Sequence, residues 1–279
     1  MLDTTSLAES YARDGFFFPI RVMSDAQAAT CRAELEKAEA MVRDRDDGRR
    51  FFREYANVAL GFVDEITRSP AVTDPVAAIL GEDLLVMACS FFIKEPQTTA
   101  YVSWHQDLHY WGLEGDDEIT AWVALSPATP DSGCMRFVAG SHRQIVDHRD
   151  THHQDNLLTR GQEIAVEVDD ADAVDVALRP GEMSLHHGRV FHTSDPNRSD
   201  DRRIGLAIRY IPARMKQMAG ASLCATLVRG EDRHGHFHLV EGGTGLLTAA
   251  DMARHTEVSE RRNRVLMRDT SAGGGGRRG

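Results

Sequence analysis

The sequence contains few cysteines, no long apolar run and fewer basic than acidic side chains. Its four cysteines, Cys31, Cys89, Cys134 and Cys224, are widely separated and show no paired spacing, which argues against a disulfide framework and against a zinc ribbon. The N-terminal residues 1–5 do not lead into the basic and apolar stretches of a signal peptide or a membrane span. These absences predict a protein of the reducing cytoplasm.

The excess of acidic side chains disfavours two classes of partner. The chain has 43 Asp and Glu residues against 32 Lys and Arg, which gives a formal net charge of -11. This charge repels nucleic acids and anionic membranes, so we expect neither as a partner. It says little about a small-molecule substrate, because the local field of a pocket can oppose the charge of the whole chain. A small molecule is the expected partner, and the oligomeric state is left open.

Turn residues divide the chain into helices followed by many short strands. Helices are predicted over residues 7–13 and 25–44, the second with Ser24 as its N-cap. Strands are predicted over residues 84–93, 101–110, 119–125, 135–138, 163–168, 174–178, 183–187 and 203–211. Many short strands separated by Gly, Pro and Asp indicate a sandwich or a barrel. The length fits one domain, expected over residues 1–262, followed by a flexible tail over residues 263–279.

The tripeptide His105-Gln106-Asp107 places an imidazole and a carboxylate two residues apart. On an extended strand such residues project to the same face, whereas Gln106 points away. His192 adds a second imidazole from a distant segment, and two imidazoles with one carboxylate form the set that suits non-heme Fe(II). The alternative is an ordinary hydrogen-bonded pair, because the chain has 13 histidines and this spacing also occurs by chance.

Arg203 follows His192 at the start of the last predicted strand and could grip the far end of a dicarboxylate, because its planar guanidinium matches carboxylate geometry. The even positions of this strand are bulky, whereas its odd positions include Gly205 and Ala207. The odd face therefore leaves room for a ligand. Arg209 shares that face but lies about 20 Å along the strand from Arg203, so we expect a structural role for Arg209.

Three stretches carry a family resemblance. They are residues 105–110 (His-Gln-Asp-Leu-His-Tyr), residues 131–142 (Asp-Ser-Gly-Cys-Met-Arg-Phe-Val-Ala-Gly-Ser-His), and residues 192–199 (His-Thr-Ser-Asp-Pro-Asn-Arg-Ser) continuing to Arg203. The chain resembles the phytanoyl-CoA dioxygenase family of Fe(II)- and 2-oxoglutarate-dependent oxygenases from about Leu7 to about Tyr210. The third stretch is similar to the family's series of His-x-Ser, Asn-x-Ser and Arg in order and spacing.

The resemblance implies a fold and a metal site. The fold would be mainly β with flanking helices, built on a double-stranded β-helix, the cupin-like jelly roll, with helices at its N-terminal side. The resemblance further implies that His105, Asp107 and His192 ligate Fe(II).

The resemblance also implies a cosubstrate site. Arg203 would bind the distal carboxylate of 2-oxoglutarate, and the hydroxyl of Ser194 would assist it. Trp122 and Phe91 match two further positions beside the cosubstrate. Family contacts nearer the N-terminus have no counterpart in this sequence before Phe91.

The activity that the resemblance implies is hydroxylation of an unactivated C–H bond by O2, with release of succinate and CO2. Because related halogenases replace the carboxylate ligand with a small residue that admits chloride, Asp107 favours hydroxylation. A small or mid-sized organic substrate, such as a secondary-metabolite intermediate, is the leading expectation. Two alternatives remain: a non-catalytic metal-binding jelly-roll module, which would have no use for Arg203, and a cupin-type dioxygenase that needs no cosubstrate and forms no succinate.

Overall fold

The computed structural model describes residues 3–108, 111–151, 153–158, 162–218 and 222–272. Its helices are α1 (Thr4–Asp14), α2 (Asp25–Met41), α3 (Arg50–Arg53), α4 (Ala56–Ala59), α5 (Gly61–Arg68), α6 (Pro70–Leu80) and α7 (Ala249–Ala272). The first two confirm the predicted helices, and the hydroxyl of Ser24 caps α2 by accepting a hydrogen bond from the backbone of Gln27. The segment between α2 and the first long strand had no predicted element and contains four short helices.

The strands form two main antiparallel sheets. In chain order they are β1 (Phe16–Arg21), β2 (Leu84–Lys94), β3 (Val102–His105), β4 (Leu113–Glu114), β5 (Ile119–Ala124), β6 (Met135–Val138), β7 (His148–Asp150), β8 (Gln162–Ile164), β9 (Ala173–Val176), β10 (Glu182–His187), β11 (His192–Ser194), β12 (Arg203–Pro212), β13 (Lys216–Gln217), β14 (Cys224–Arg229) and β15 (His238–Leu239). The larger sheet has the order β1-β10-β5-β12-β2-β14-β15, and the smaller has the order β3-β11-β6-β9. Among the pairings of these described strands, that of β14 with β15 is parallel and the others are antiparallel.

Alternating side chains along β12 separate two buried regions. Ile204, Leu206 and Ile208 pack into the main core, which the larger sheet shares with the helices. The odd positions face the smaller sheet instead, and Ala207 belongs to a second cluster that includes Phe137 of β6. The expected division of β12 into a bulky face and an open face is therefore confirmed.

Two facing sheets with helices packed on the outside of the larger one confirm the predicted fold class, mainly β with a jelly-roll core and flanking helices. Within the described residues, none of the helices combines the length and the apolar character that crossing a bilayer requires.

Several boundaries differ from those expected from the sequence. Strand β3 ends at His105, whereas a strand to residue 110 was expected; residues 109–110 lie outside the described residues. His192 lies on β11, a strand not among those expected, and a turn at residues 188–190 separates it from β10, which belongs to the other sheet. Helix α7 continues to Ala272, into the segment expected to be a flexible tail, and residues 273–279 lie outside the described residues.

Candidate metal and cosubstrate site

A cavity of about 400 Å³, measured with its open mouth, lies between the two sheets. Its walls bring together six of the seven site residues predicted from the sequence. The lining residues are Phe92, Val102, His105, Asp107, Thr120, Trp122, Met135, His186, His192, Thr193, Ser194, Arg203, Ala207 and Arg209.

His105, Asp107 and His192 converge at one end of this cavity. Each offers one ligand atom, and these atoms all lie within 4.8 Å of one another. The two histidines are opposite each other on the paired strands β3 and β11, and Nε2 of His105 is 3.2 Å from Oδ1 of Asp107. Two imidazoles and one carboxylate at this separation fit a single divalent metal ion.

Asp107 reaches the site by a bend and not along a strand. The chain leaves β3 at His105, and the side chain of Gln106 turns away from the cavity, as expected. Its amide nitrogen donates to the carbonyls of Gln144 at 2.8 Å and Arg189 at 2.7 Å. These two bonds anchor the bend, which brings Asp107 back beside His105.

Hydrogen bonds fix which nitrogen of each ligand histidine faces the cavity. Nδ1 of His105 lies 2.9 Å from the carbonyl oxygen of Ser103 and 3.1 Å from that of His192. Nδ1 of His192 lies 2.9 Å from the carbonyl oxygen of Val190. Because only an N–H can bond to a carbonyl, each Nδ1 carries the proton and each Nε2 keeps its lone pair for a metal.

The charge states of the ligands also fit a metal. Burial, followed by the nearby His105, lowers the pKa of His192 to about 3, so this imidazole is neutral at neutral pH. Burial alone would raise the pKa of Asp107, but the positive charge of Arg209 opposes it, and that pKa is held well below its ordinary value. A neutral imidazole and an ionised carboxylate are the forms that bind a metal.

Arg203 occupies another wall of the same cavity. It is 1 % exposed, and its Nε has no hydrogen-bond partner among the described residues. Its guanidinium carbon lies 5.3 Å from the ring centre of Trp122. Burial lowers the pKa of Arg203 to about 10, which still leaves it charged at neutral pH. A buried cation with unused donors is suited to a carboxylate ligand.

Gly205 gives Trp122 the space to lie beside Arg203. A Cβ atom on Gly205 would come within 1.7 Å of the indole, far inside van der Waals contact. Gly205 is the residue between the Arg203 and Ala207 positions of the inner face, so the glycine and the tryptophan together shape this wall.

Lys94 is a buried amine beside the site, and the sequence pattern assigned it no role there. It lies opposite Arg203 in the strand register and is 0 % exposed. Its Nζ donates to the hydroxyl of Ser194 at 2.7 Å, to the carbonyl of Ser194 at 3.0 Å and to the carbonyl of Asp195. Burial and then the charge of Arg203 lower the pKa of Lys94 to about 6. Lys94 therefore orients the hydroxyl of Ser194, which is predicted to contact the cosubstrate.

Phe91 is the one predicted site residue that the structure places elsewhere. It belongs to the main core, with its ring centre 6.4 Å from that of Phe62 of helix α5. Because successive side chains on a strand face opposite sides, its neighbour Phe92 lines the cavity. The alternation of β2 corrects the assignment and favours Phe92 for the lining position.

Two further side chains near the metal ligands were not assigned from the sequence. Arg209 lines the cavity, with its Nη2 3.7 Å from Oδ2 of Asp107; its position on the inner face of β12 was the available signal. His186 is 1 % exposed, and its ring centre lies 5.0 Å from that of His192. Burial, followed by the nearby His192, lowers the pKa of His186 well below its ordinary value, so it adds no charge.

Comparison with known proteins identifies the family. Residues 11–205 match the family model described as phytanoyl-CoA dioxygenase (PhyH). Over 153 residues the chain is 30% identical to a probable alpha-ketoglutarate-dependent hypophosphite dioxygenase of Stutzerimonas stutzeri, covering 54% of this chain and 53% of that protein. The chain thus spans about half the length of the curated relatives it matches.

Two solved structures are similar to a larger share of the chain than the curated relatives are. The non-heme monooxygenase ThoJ in its apo form superposes with a TM-score of 0.86 at 33% identity, covering 95% of this chain and 99% of that one. Its nickel complex gives a TM-score of 0.80 at 31% identity, covering 94% and 99%. CytC3 with Fe(II) and alpha-ketoglutarate, at 18% identity and a TM-score of 0.60 over 84% of this chain and 92% of that one, is similar in fold alone.

The relatives' names agree with the enzyme class and the cosubstrate that the motifs predicted, and the matched segment contains all three proposed metal ligands and Arg203. The chain therefore belongs to the phytanoyl-CoA dioxygenase family.

Proposed function

We propose that the protein is an Fe(II)- and 2-oxoglutarate-dependent dioxygenase that hydroxylates an unactivated C–H bond of a small or mid-sized organic molecule and releases succinate and CO2. The observation that carries this proposal is the sharing of one cavity by two groups of residues. His105, Asp107 and His192 offer three ligand atoms within 4.8 Å, and Arg203 with Ser194 lines the same cavity.

The metal ligands would be His105, Asp107 and His192. Ferrous iron, when bound there with 2-oxoglutarate, supplies the activation of O2. The protein's own contribution is to hold the two Nε2 atoms deprotonated and the carboxylate ionised before any metal arrives. Since Asp107 occupies the third ligand position, no place is left for a halide, which favours hydroxylation over halogenation.

The cosubstrate would be fixed by Arg203, Ser194 and Trp122. A buried guanidinium forms strong paired hydrogen bonds with a carboxylate, and Arg203 has an unused Nε donor in the described part of the chain. The hydroxyl of Ser194, oriented by Lys94 at 2.7 Å, adds a polar contact on the same wall. Trp122 lines the same cavity, with its ring centre 5.3 Å from the guanidinium carbon of Arg203.

The substrate would be a small molecule, since the metal ligands and Arg203 line one cavity between the two sheets, and a concave site with a few polar groups is typical of small-molecule binding. We also propose the cytoplasm as its place of action. All four cysteines are free, three of them buried, which suits a reducing compartment.

Two measurements test the function. Under anaerobic conditions, Fe(II) and 2-oxoglutarate should together produce a weak visible band at about 500 nm, which arises from the metal and keto acid. With O2 admitted, a substrate screen should then detect succinate. Absence of the band would favour the metal-binding module, whereas turnover without succinate would favour a cupin-type dioxygenase; either result refutes the proposal.

A further inference from the structure

Arg209 is a buried cation whose hydrogen-bonding capacity is largely unused. It is 8 % exposed and lines the cavity. Its Nη1 lies 3.5 Å from the hydroxyl of Ser90, its Nη2 lies 3.7 Å from Oδ2 of Asp107, and its Nε has no partner among the described residues. A guanidinium has five N–H donors, and ordinary N–H···O distances are about 2.7 to 3.2 Å. Most of these donors therefore remain available to a ligand.

Two aromatic rings hold the Arg209 guanidinium in place. Its central carbon lies 5.6 Å from the ring centre of Phe92 and 5.3 Å from that of Trp111. Rings stabilise a guanidinium through its face, which leaves the N–H donors at its edge free. A planar carboxylate is the group that pairs with such an edge through two parallel hydrogen bonds.

Counted over the described residues, the charges of the proposed site leave one positive charge unbalanced, because Asp107, the carboxylate nearest Arg209, would also balance the metal. Among the described residues that line the cavity, the charged side chains are one carboxylate, Asp107, and two guanidinium groups, Arg203 and Arg209. The two positive charges of ferrous iron would be balanced by Asp107 and by the carboxylate of 2-oxoglutarate nearest the metal. The other carboxylate of 2-oxoglutarate would balance Arg203, and the charge of Arg209 would then remain.

The acidic residue beside this group does not supply the missing charge. Glu118 is 1 % exposed, and one of its carboxyl oxygens has no partner among the described residues. Burial, followed by the charge of Asp107, raises the pKa of Glu118 well above its ordinary value. Among the described residues no ion pair joins Glu118 to Arg209, and one Glu118 oxygen instead accepts a hydrogen bond from the hydroxyl of Thr120 at 3.0 Å. A buried cation without an anion is unfavourable.

We propose that Arg209 is a specificity-determining residue that binds a carboxylate on the substrate, so that the enzyme acts on a small organic acid. This inference rests on the proposed function, because the charge balance assumes iron and 2-oxoglutarate. Arg203 and Arg209 are six residues apart on β12, which spaces their Cα atoms by about 20 Å, so the cosubstrate and substrate carboxylates would have separate cations. The substrate acid would bind beside Asp107, close to the metal.

Acetate and acetamide provide a matched pair of probes, because they have the same shape and differ in charge. The protein is loaded anaerobically with Fe(II) and saturating 2-oxoglutarate, and the band at about 500 nm confirms loading. Each probe is then titrated at constant ionic strength, with acetate replacing chloride, while the melting temperature and the band are followed. Acetate should raise the melting temperature and acetamide should not.

Variants assign the effect to one side chain. Arg209→Gln should weaken acetate binding at least about tenfold, since a charged hydrogen-bonded pair is lost, and Arg209→Lys should retain part of it. Arg214→Gln is the matched control, because Arg214 pairs with Asp117 on the surface, and it should bind acetate like the wild type.

Three results would overturn the inference. Equal effects of acetate and acetamide on the wild type would show that no cation in the site distinguishes the anion from the neutral amide. Unchanged acetate binding in Arg209→Gln would place the anion elsewhere. Weaker iron binding in Arg209→Gln, with no acetate effect in the wild type, would show that Arg209 only supports the metal ligand Asp107 and binds no substrate carboxylate. Failure of the wild type to form the band would instead refute the proposed function, and this inference with it.

Discussion

His105 and His192 face each other across the paired strands β3 and β11, with their ring centres 3.9 Å apart. The backbone pairing sets this distance, and carbonyl oxygens hold both Nδ1 atoms. The two imidazoles are therefore fixed in position and protonation before a metal binds. Such preorganisation reduces the entropy that metal binding would otherwise cost.

Replacement of Asp107 tests the metal site. Asp107→Ala removes the single carboxylate among the three ligands, so we expect iron affinity to fall at least about 100-fold and turnover to be abolished. Iron content after dialysis and succinate release measure the two effects. Asp117→Ala is the control, since Asp117 pairs with Arg214 on the surface. Undiminished iron content and turnover in Asp107→Ala would contradict the assignment.

Replacement of Arg203 tests the cosubstrate site. Arg203→Ala removes a buried guanidinium, so we expect the KM for 2-oxoglutarate to rise about 10- to 100-fold with a smaller effect on kcat. Its neighbour Arg202 pairs with Glu39 at 2.8 Å outside the cavity. Arg202→Gln should therefore lower stability and leave this KM unchanged. A similar KM in both variants would show that Arg203 does not hold the cosubstrate.

Local periodicity is the reason that much of this site could be predicted from the sequence. Strand β12 alternates bulky and small or charged residues, and the structure places Ile204 and Leu206 in the core and Arg203 and Ala207 at the cavity. A period of two requires no knowledge of the neighbouring strands. The family motifs supplied the roles of the residues, which periodicity alone does not give.

The remaining features depend on contacts between distant segments. Asp107 reaches the metal site because Gln106 is anchored to Arg189, and no local pattern specifies that bend. The one-residue difference between Phe91 and Phe92 depends on the register of β2 against β12. The distance between Arg209 and Arg203 along one strand predicts a structural role for Arg209. Its position beside Asp107 follows instead from the packing of the smaller sheet over β12, which no single strand shows.

Gly205 tests how the wall around Arg203 is built. Gly205→Ala would place a Cβ atom 1.7 Å from the Trp122 ring, so the ring must move and the free energy of unfolding should fall by about 1 to 3 kcal/mol. The KM for 2-oxoglutarate should rise as well, because Trp122 packs against Arg203. Urea unfolding and steady-state kinetics measure the two effects.

A second substitution distinguishes a steric clash from a backbone effect. In Gly205→Ala combined with Trp122→Leu, the smaller side chain relieves the overlap. The pair should therefore lose less stability than the sum of the single variants. Additive losses would indicate that Gly205 is required for its own backbone conformation and not for the space that it leaves to Trp122.

Lys94 predicts how stability depends on pH in the metal-free protein. Its pKa in the folded state is lowered to about 6 from 10.5, first by burial and then by Arg203. Between these values the unfolded chain binds more protons than the folded protein, so the free energy of unfolding rises with pH across this window. This gain in stability disappears again as the pH falls towards about 6. Each bound proton contributes a slope of up to about 1.4 kcal/mol per pH unit.

Substitution isolates this contribution. Lys94→Met has no titrating group at this position, so its stability should rise less steeply with pH than that of the wild type. Between about pH 7 and 9 the wild type should gain about 1 to 3 kcal/mol more in free energy of unfolding than the variant. Urea unfolding at several pH values measures both slopes. Lys37→Met is the control, because Lys37 is exposed and its loss should leave the slope unchanged. Parallel curves for the wild type and Lys94→Met would mean that Lys94 stays charged beside Arg203, and the two buried cations would then both require anions from the ligand.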